Sequence, residues 1–418
     1  MKKFKDYLFR DSLIVFITSI IIGLLYYFFG TYMGRKLGPA DYGIFGVLFS
    51  IFLIFTNSAS AINMLTIRLT SYFKAKNKYD KINTTFRTFL RIFFLSGLIL
   101  FILIIIFSKP IIFLLKIPSI IPIIILGLLI WAYIILTSIQ GILNGMQRFI
   151  SLGFLRFLFS FFILIFGFIL VNLGLKVNGA LLALFLGTLI VIPIGILKLK
   201  NILKNKKSKI MYKEIKSFII PTITASIILS IILNIDVVLV KFFFNNIQAG
   251  FYAAASLTGK VIFFISNSFI TVIFPKASEF YDRNKSTASL LKRSFIYVTL
   301  VSLFIILIYF LIPNLLVNLF FGSEYKISNL IGLFAIAISF YSLSNLLVTY
   351  NLSIEKFKFL YVLIPASILE VILIILFHNT LLQVVWILTI FMILLFIILV
   401  IISKNEILSI FRKESYIK

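Results

Sequence analysis

Runs of twenty or more residues with hardly a charge, parted by short connectors rich in lysine, make up this chain from end to end. A helix needs about 20 mainly apolar residues to cross a bilayer. Twelve such runs are read, at roughly 12–33, 42–71, 83–108, 119–146, 149–172, 177–197, 217–244, 250–274, 289–312, 327–352, 357–378 and 381–402. The fold class that follows is all-α: a polytopic protein of 12 transmembrane helices, placed in the cell membrane as a multi-pass protein. Composition agrees, because 61% of residues are hydrophobic, whereas a soluble domain is about 45–50% apolar. The opening MKKFKDYLFR looks like the start of a signal peptide. The apolar run behind it continues from Ser12 to about Met33 with no small-residue cleavage site, so it reads as a retained first span.

Charge placement decides orientation. The chain has 40 Lys and Arg against 13 acids. Of those 40, 29 fall in the termini, in every second connector and at the span ends beside them, 7 in or beside the remaining connectors, and four deeper within spans: Arg68, Arg91, Arg156 and Lys260. Positive charge stays on the cytoplasmic side, so both termini are expected there. A net charge of +27 would suit nucleic acid only on a soluble basic face, and no hydrophilic stretch is long enough to form one. With no cysteine and a single histidine, His378, disulfides and a zinc site of the usual type are excluded, and nothing calls for a metal or a cofactor.

The most hydrophilic segment, KLKNILKNKKSKIMYKEIK from Lys198 to Lys216, lies at mid-chain. It divides the protein into an N-terminal six-helix lobe (1–200), a basic linker (201–216) and a C-terminal six-helix lobe (217–418). Ile202, Leu203, Ile210, Met211 and Ile215 within it suit a segment lying along the inner leaflet, where basic residues meet anionic lipid; a purely topogenic linker is the simpler reading. Shifting the sequence by 207 residues puts Gly43 on Gly250, Phe45 on Tyr252, Ser71 on Ser278, Phe73 on Phe280 and Asn77-Lys78 on Asn284-Lys285. Six spans per half return the chain to the side where it began, so the repeat is parallel.

Four stretches carry a family resemblance: LGPADYGIF (Leu37 to Phe45), NIDVVLVKFFFNNIQAGFYAAASL (Asn234 to Leu257), IFPKASEF (Ile273 to Phe280) and LFFGSEYKIS (Leu319 to Ser328). They resemble the turn between helices one and two, the seventh-helix Asp with the start of helix eight, the exit of helix eight, and the approach to helix ten of the polysaccharide transporter (lipid-linked oligosaccharide flippase) family. That family lies within the multidrug/oligosaccharidyl-lipid/polysaccharide exporter superfamily. One departure is NNIQA before Gly250, where the family has an LG-P-x-x turn. The resemblance implies two six-helix lobes around a cavity that opens alternately to each side. It also implies that an isoprenoid-diphosphate-linked oligosaccharide is moved from the inner to the outer leaflet for surface glycan synthesis. The expected partners are the lipid-linked glycan, membrane lipids and a coupling H⁺ or Na⁺, with no nucleic acid.

Physics narrows the residues independently. An ionisable group near the bilayer centre costs about 2.5–3.5 kcal/mol on insertion scales and faces a cavity unless it snorkels. Asp236 lies eight residues from the outer end of its span and Lys260 ten residues into the next, so both sit on the order of 12–15 Å deep, close enough in depth to pair. Such a pair either fixes helix packing or works: Lys260 meets the diphosphate while Asp236 releases it or binds the coupling ion. Glu370 is the second candidate for ion coupling, its alternative being a protonated packing residue. Arg68, Arg91 and Arg156 are near enough to the inner surface to snorkel, and Arg68 is the preferred entry contact for the diphosphate. Among polar amides, Asn57, Asn63 and Asn267 are candidates to line a sugar path, although interhelical hydrogen bonds use the same residues. Tyr26 and Tyr27 either stack on sugar rings or pack.

The main alternative is a multidrug or cation exporter of the related extrusion family, which favours acids in a neutral cavity. A membrane polysaccharide polymerase or ligase needs acid–base groups in a sizeable external loop. The longest external connection, around Pro313 to Lys326, offers only Glu324 and Lys326, so no enzyme activity is expected.

Overall fold

The computed structural model describes residues 2–205, 208, 216–282 and 287–404. Its helices in chain order are α1 (Lys2–Ala75), α2 (Tyr79–Ile106), the short α3 (Ser108–Leu114), α4 (Ile121–Gly145) and α5 (Phe149–Leu170). Next come α6 (Lys176–Lys198), the single turn α7 (Lys200–Leu203), α8 (Lys216–Phe243), α9 (Asn246–Asp282) and α10 (Ala288–Leu311). The last four are the short α11 (Pro313–Phe320), α12 (Ser328–Ser353), α13 (Leu360–Leu376) and α14 (Leu381–Ile402).

Nine of the described helical stretches are long and apolar enough to cross a membrane, and two of these, Ile20–Ala75 and Phe149–Lys198, run to 56 and 50 residues. Each long stretch breaks midway, and Leu360–Leu376 is a further, shorter apolar helix. Counted at the breaks, the chain crosses twelve times, as the apolar runs predict. In α1 the break is Gly38, with φ 68 and ψ 169, a conformation that glycine adopts without steric cost. Pro39 follows and has no N–H to carry a helix across. The Phe29 and Phe45 ring centroids are 6.0 Å apart, whereas sixteen residues of unbroken helix span about 24 Å. The two arms of α1 therefore fold back on each other. Between α5 and α6 the turn is a π-type segment, Val171–Leu175, where Gly174 and Lys176 both have positive φ.

The two halves repeat the same plan. Each lays down a short helix after its third crossing, α3 after α2 and α11 after α10. Residues related by the 207-residue shift meet where the halves join. A Cβ on Gly250 would overlap the Pro39 carbonyl, one on Gly43 would overlap the Asn246 carbonyl, and one on Gly46 would lie 2.5 Å from the Ala253 Cβ. Backbones approach this closely only through small residues, the usual device of helix association in lipid.

The connections at Gly38, α3, the π-type turn, 244–245, α11 and 377–380 lie at one end of the molecule, here the Gly38 end. The lysine-rich connections lie at the other, the basic end. Contacts between the halves cluster at the Gly38 end. The Tyr325 hydroxyl donates to the Gly34 carbonyl at 2.7 Å, Arg35 Nη2 to the Asn318 carbonyl at 3.1 Å and Lys116 Nζ to the Phe244 carbonyl at 3.3 Å. The Tyr42 ring packs on Phe321 and Tyr325, with centroids 6.1 and 6.2 Å away. LGPADYGIF and LFFGSEYKIS, far apart in sequence, thus form one seam.

At the basic end the start of the mid-chain connector folds onto the N-half. Leu199 and Ile202 are buried, Asn83 donates to the Asn205 carbonyl, and Ser208 N donates to Thr84 Oγ1 at 2.9 Å. Ile202, which would face lipid if the connector lay along the leaflet, is packed in protein instead, because these polar bonds to α2 hold the connector down. Residues 209–215, with Ile210, Met211 and Ile215, lie outside the described residues, as does the C-terminal stretch 405–418.

Candidate functional site

Five polar residues with ionisable or amide side chains come together inside the C-half, contributed by three helices. Helix α8 supplies Asn234 and Asp236, α9 supplies Tyr252 and Lys260, and α13 supplies Glu370. Burial is nearly complete: Asp236 is 2% exposed, Lys260 5% and Glu370 0%. The Tyr252 hydroxyl donates to Asp236 Oδ2 at 3.0 Å, and Lys260 Nζ donates to Asn234 Oδ1 at 3.0 Å. Asn234 is itself oriented by its Nδ2, which donates to the Ser230 carbonyl at 2.9 Å.

The direct Asp236–Lys260 pair that the sequence allows is not formed. Helix α9 begins at Asn246, four residues before the expected start. Lys260 therefore sits about 21 Å from the Gly38 end, and Asp236 about 10 Å from it. An extended lysine reaches Asn234, which is nearer to it on α8, and leaves the Asp236 carboxylate to Tyr252. Lys260 still interacts electrostatically with both Asp236 and Glu370.

Three carboxylate oxygens in this cluster have no hydrogen-bond partner: Asp236 Oδ1 and both oxygens of Glu370. Buried carboxylates are otherwise paired or hydrogen-bonded. Two acids around one lysine leave one negative charge over when all three are ionised. One proton or one monovalent cation neutralises the set.

The second group of candidates lies on the faces that the halves turn to each other. Asn57 Nδ2 donates to Ser230 Oγ at 3.3 Å, and Ser230 Oγ donates to the Leu53 carbonyl at 3.3 Å, joining α1 to α8. Arg68 follows Asn57 by eleven residues, three helical turns, so it shares that face nearer the basic end, and it is exposed. On α9, Lys260 borders a crevice between the halves together with Ser50, Leu53, Ser256 and Phe264. Asn267, half-buried, lies two turns beyond Lys260 on the same side of α9. Asn57 and Arg68 thus share one face of α1, Lys260 and Asn267 one side of α9, and Lys260 belongs both to the crevice between the halves and to the buried cluster.

Asn63 goes elsewhere. It is buried and packed so closely on α4 that a Cβ on Gly141 would overlap its carboxamide oxygen. Of the tyrosines, Tyr27 packs on Phe320 across the seam, ring centroids 5.1 Å apart, and Tyr26 packs on Phe159 within the N-half at 6.0 Å.

Arg156 departs most from the sequence reading, which made it a snorkelling anchor. On α5 the exposed stripe of Ile150, Phe154, Phe157, Phe161 and Phe168 is the lipid face. Arg156 is on the opposite side, one turn from the buried Leu152, Phe159 and Ser160. It interacts electrostatically with Tyr26 of α1 and Tyr133 of α4. The helical phase of the exposed aromatics already carried this signal in the sequence.

With this geometry the chain can be compared with known proteins. The sequence pattern that defines a family described as "Polysaccharide biosynthesis protein" matches residues 8–281. The chain belongs to the polysaccharide biosynthesis protein family. No curated protein sequence matches it, but solved structures share its fold. An inward-facing multidrug resistance MATE family transporter of the MOP superfamily superposes with a TM-score of 0.74 at 14% identity, covering 97% of this chain and 100% of its own. Lipid II flippase MurJ, in an inward closed conformation, gives 0.71 at 17% identity, with 95% and 90% covered. A MOP superfamily transporter from Pyrococcus furiosus, described as having a binding pocket of reversed polarity, gives 0.67 at 15% identity, with 97% and 96% covered. This polysaccharide biosynthesis protein is thus a multi-pass membrane protein with the fold of MOP superfamily transporters.

Proposed function

We propose that this family member is a flippase that carries an isoprenoid-diphosphate-linked oligosaccharide across the membrane by alternating access. The observation that carries the reading is the crevice between the halves that Lys260 borders, with Arg68 exposed on the Asn57 face of α1 nearer the basic end, in a member of a polysaccharide biosynthesis family. A diphosphate is an anion that a guanidinium and an ammonium both bind with charge-assisted hydrogen bonds. Amides such as Asn57 and Asn267 are the groups that sugar hydroxyls pair with.

The positive-inside rule assigns the basic end to the cytoplasm and the Gly38 end, where the halves meet, to the outside. In this orientation the cavity receives substrate from the inner leaflet. Arg68, nearest the basic end, meets the diphosphate first, and Lys260 meets it deeper in the path. Lys260 is also held by Asn234 and by the field of Asp236 and Glu370. Loading a proton or Na⁺ onto these two acids weakens their hold on Lys260 and frees its charge for the substrate. Releasing the ion reverses this. Ion binding and substrate binding are then linked through one side chain, and linkage of this kind is reciprocal.

One observation favours a second reading, export of cationic drugs: the two buried acids, Asp236 and Glu370, with their unpartnered oxygens. A deletion strain separates the two. A flippase deletion loses surface glycan and accumulates the lipid-linked intermediate on the inner leaflet. Intact glycan together with new drug sensitivity would sink the flippase reading.

A further inference from the structure

Among the described residues, no carboxylate forms an ion pair with Arg156. Of the N-half's four acids, Asp6 and Asp11 precede the first apolar run, Asp41 pairs with Lys176 at 3.4 Å at the Gly38 end, and Asp80 starts α2 at the basic end. Among the described residues, the ionisable groups that shape the electrostatics of Arg156 are the hydroxyls of Tyr133 and Tyr26. Both rings lean on Phe159, one turn along α5 from Arg156, with centroids 5.5 and 6.0 Å away. Phe52 closes the group at 5.1 Å from Tyr133. Arg156 is exposed although it projects from the face of α5 that turns away from lipid. Its exposed surface therefore lies on the inward side of α5. A guanidinium fork, two phenol donors and aromatic walls without a carboxylate form an environment for a phosphate-bearing anion with an apolar or sugar attachment.

We infer that Arg156, Tyr26 and Tyr133 form an anion subsite in the N-half that takes the diphosphate of an isoprenoid-linked substrate at a point separate from Arg68 and Lys260. The inference rests on the flippase reading for its ligand and on the placement of Arg156 for its location. Arg156 supplies two parallel N–H donors to the phosphate oxygens, and the two phenols donate to the remaining ones. Phe52 and Phe159 exclude water from the same subsite.

The test is binding of four probes to the purified full-length protein, measured by native mass spectrometry with titration: a polyprenyl diphosphate, the neutral polyprenol, phosphatidylglycerol and inorganic pyrophosphate. Arg156→Gln is expected to weaken the polyprenyl diphosphate by roughly tenfold or more and to leave polyprenol unchanged. Arg156→Lys, which keeps the charge but loses the fork, is expected to fall between the two. Tyr26→Phe and Tyr133→Phe should each cost about two- to threefold, the scale of one neutral hydrogen bond. These milder variants keep the test open should Arg156→Gln fail to fold, which thermal melting in the same detergent reveals. Unchanged diphosphate affinity in well-folded Arg156→Gln overturns the subsite and leaves the flippase reading standing. A parent protein that takes a drug cation but no polyprenyl diphosphate overturns that reading and the inference with it. Arg156-dependent binding of phosphatidylglycerol or pyrophosphate at least as tight as that of the polyprenyl diphosphate overturns the ligand assignment, since the site then serves ordinary lipid or free phosphate.

Discussion

Within its membrane helices the N-half carries Arg68, Arg91 and Arg156 while its acids, Asp6, Asp11, Asp41 and Asp80, lie toward the helix ends, whereas the C-half buries Asp236 and Glu370 around Lys260. The backbone plan of the two halves is the same, down to the short helix after the third crossing and the glycines that face each other across the seam. Duplicated architecture has therefore been given opposite electrostatics. Arginines set deeper than their own half's acids call for an anionic ligand. A cluster with one acid more than its single lysine needs a proton or a small cation. On the flippase reading, the substrate's phosphates answer the first need and the coupling ion the second.

The strongest way to break this division is to neutralise the C-half. Asp236→Asn combined with Glu370→Gln removes both acids but keeps their shapes. Ion-driven translocation of an isoprenoid-diphosphate-linked sugar in proteoliposomes should then fall to the level of empty vesicles. Binding of the same lipid in detergent should persist, because the N-half cations are untouched. If the double variant still responds to an imposed proton or Na⁺ gradient as the parent does, the C-half cluster is structural.

Lys260 joins the two needs, so its removal should show coupling. Lys260→Ala is expected to lower translocation by about tenfold, because it leaves two buried acids without their cation. In an Asp236→Asn background the same change should cost much less, giving an interaction energy of the size seen between residues in one network, about 0.5–3 kcal/mol. Strict additivity of the two changes would separate Lys260 from the cluster.

How far this division was legible in the sequence differs from feature to feature. Twelve apolar runs of membrane length predict the twelve crossings, because lipid leaves helix as the only span for each run. The Gly38-Pro39 break was equally plain, since neither residue supports a continuous helix. The pairing of Asp236 was not. It depended on where α9 begins, and NNIQA lacks the Gly-Pro signal that marks the corresponding turn in the first half. A four-residue difference there moved Lys260 by more than a turn and changed its partner. Arg156 was legible in principle, through the period of its exposed aromatic neighbours, but distance from the membrane surface alone made it resemble an anchor. The inter-half seam was hidden because Pro39, Gly43, Gly250 and Tyr325 come together only in three dimensions.

Arg68 tests the N-half from the path side. Arg68→Gln is expected to raise the lipid-linked substrate concentration at half-maximal translocation by about three- to tenfold, as loss of one charge-assisted contact does. The maximal rate should change little, because Arg68 meets the diphosphate at entry. A fall in maximal rate with unchanged half-saturation would move Arg68 from binding to the conformational step.

The smallest effects separate two asparagines on the same arm of α1. Asn57 bonds to Ser230 in the other half, whereas Asn63 packs on Gly141 in its own. An interhelical hydrogen bond within a membrane is worth about 0.6 kcal/mol on average, so neither Asn57→Ala nor Asn63→Ala should prevent folding. The two should differ in what they move. Asn57→Ala weakens a contact that exists only while the halves are seated on each other, so it should shift the balance between inward- and outward-open states by about threefold. Accessibility of a single cysteine introduced at Leu53 reads that balance. Asn63→Ala acts within one half, so it should lower the melting temperature slightly and leave the balance alone. An equal shift in accessibility from both variants would mean that the N-half does not move as a unit, and the contrast between halves would then have to be drawn between smaller pieces of the molecule.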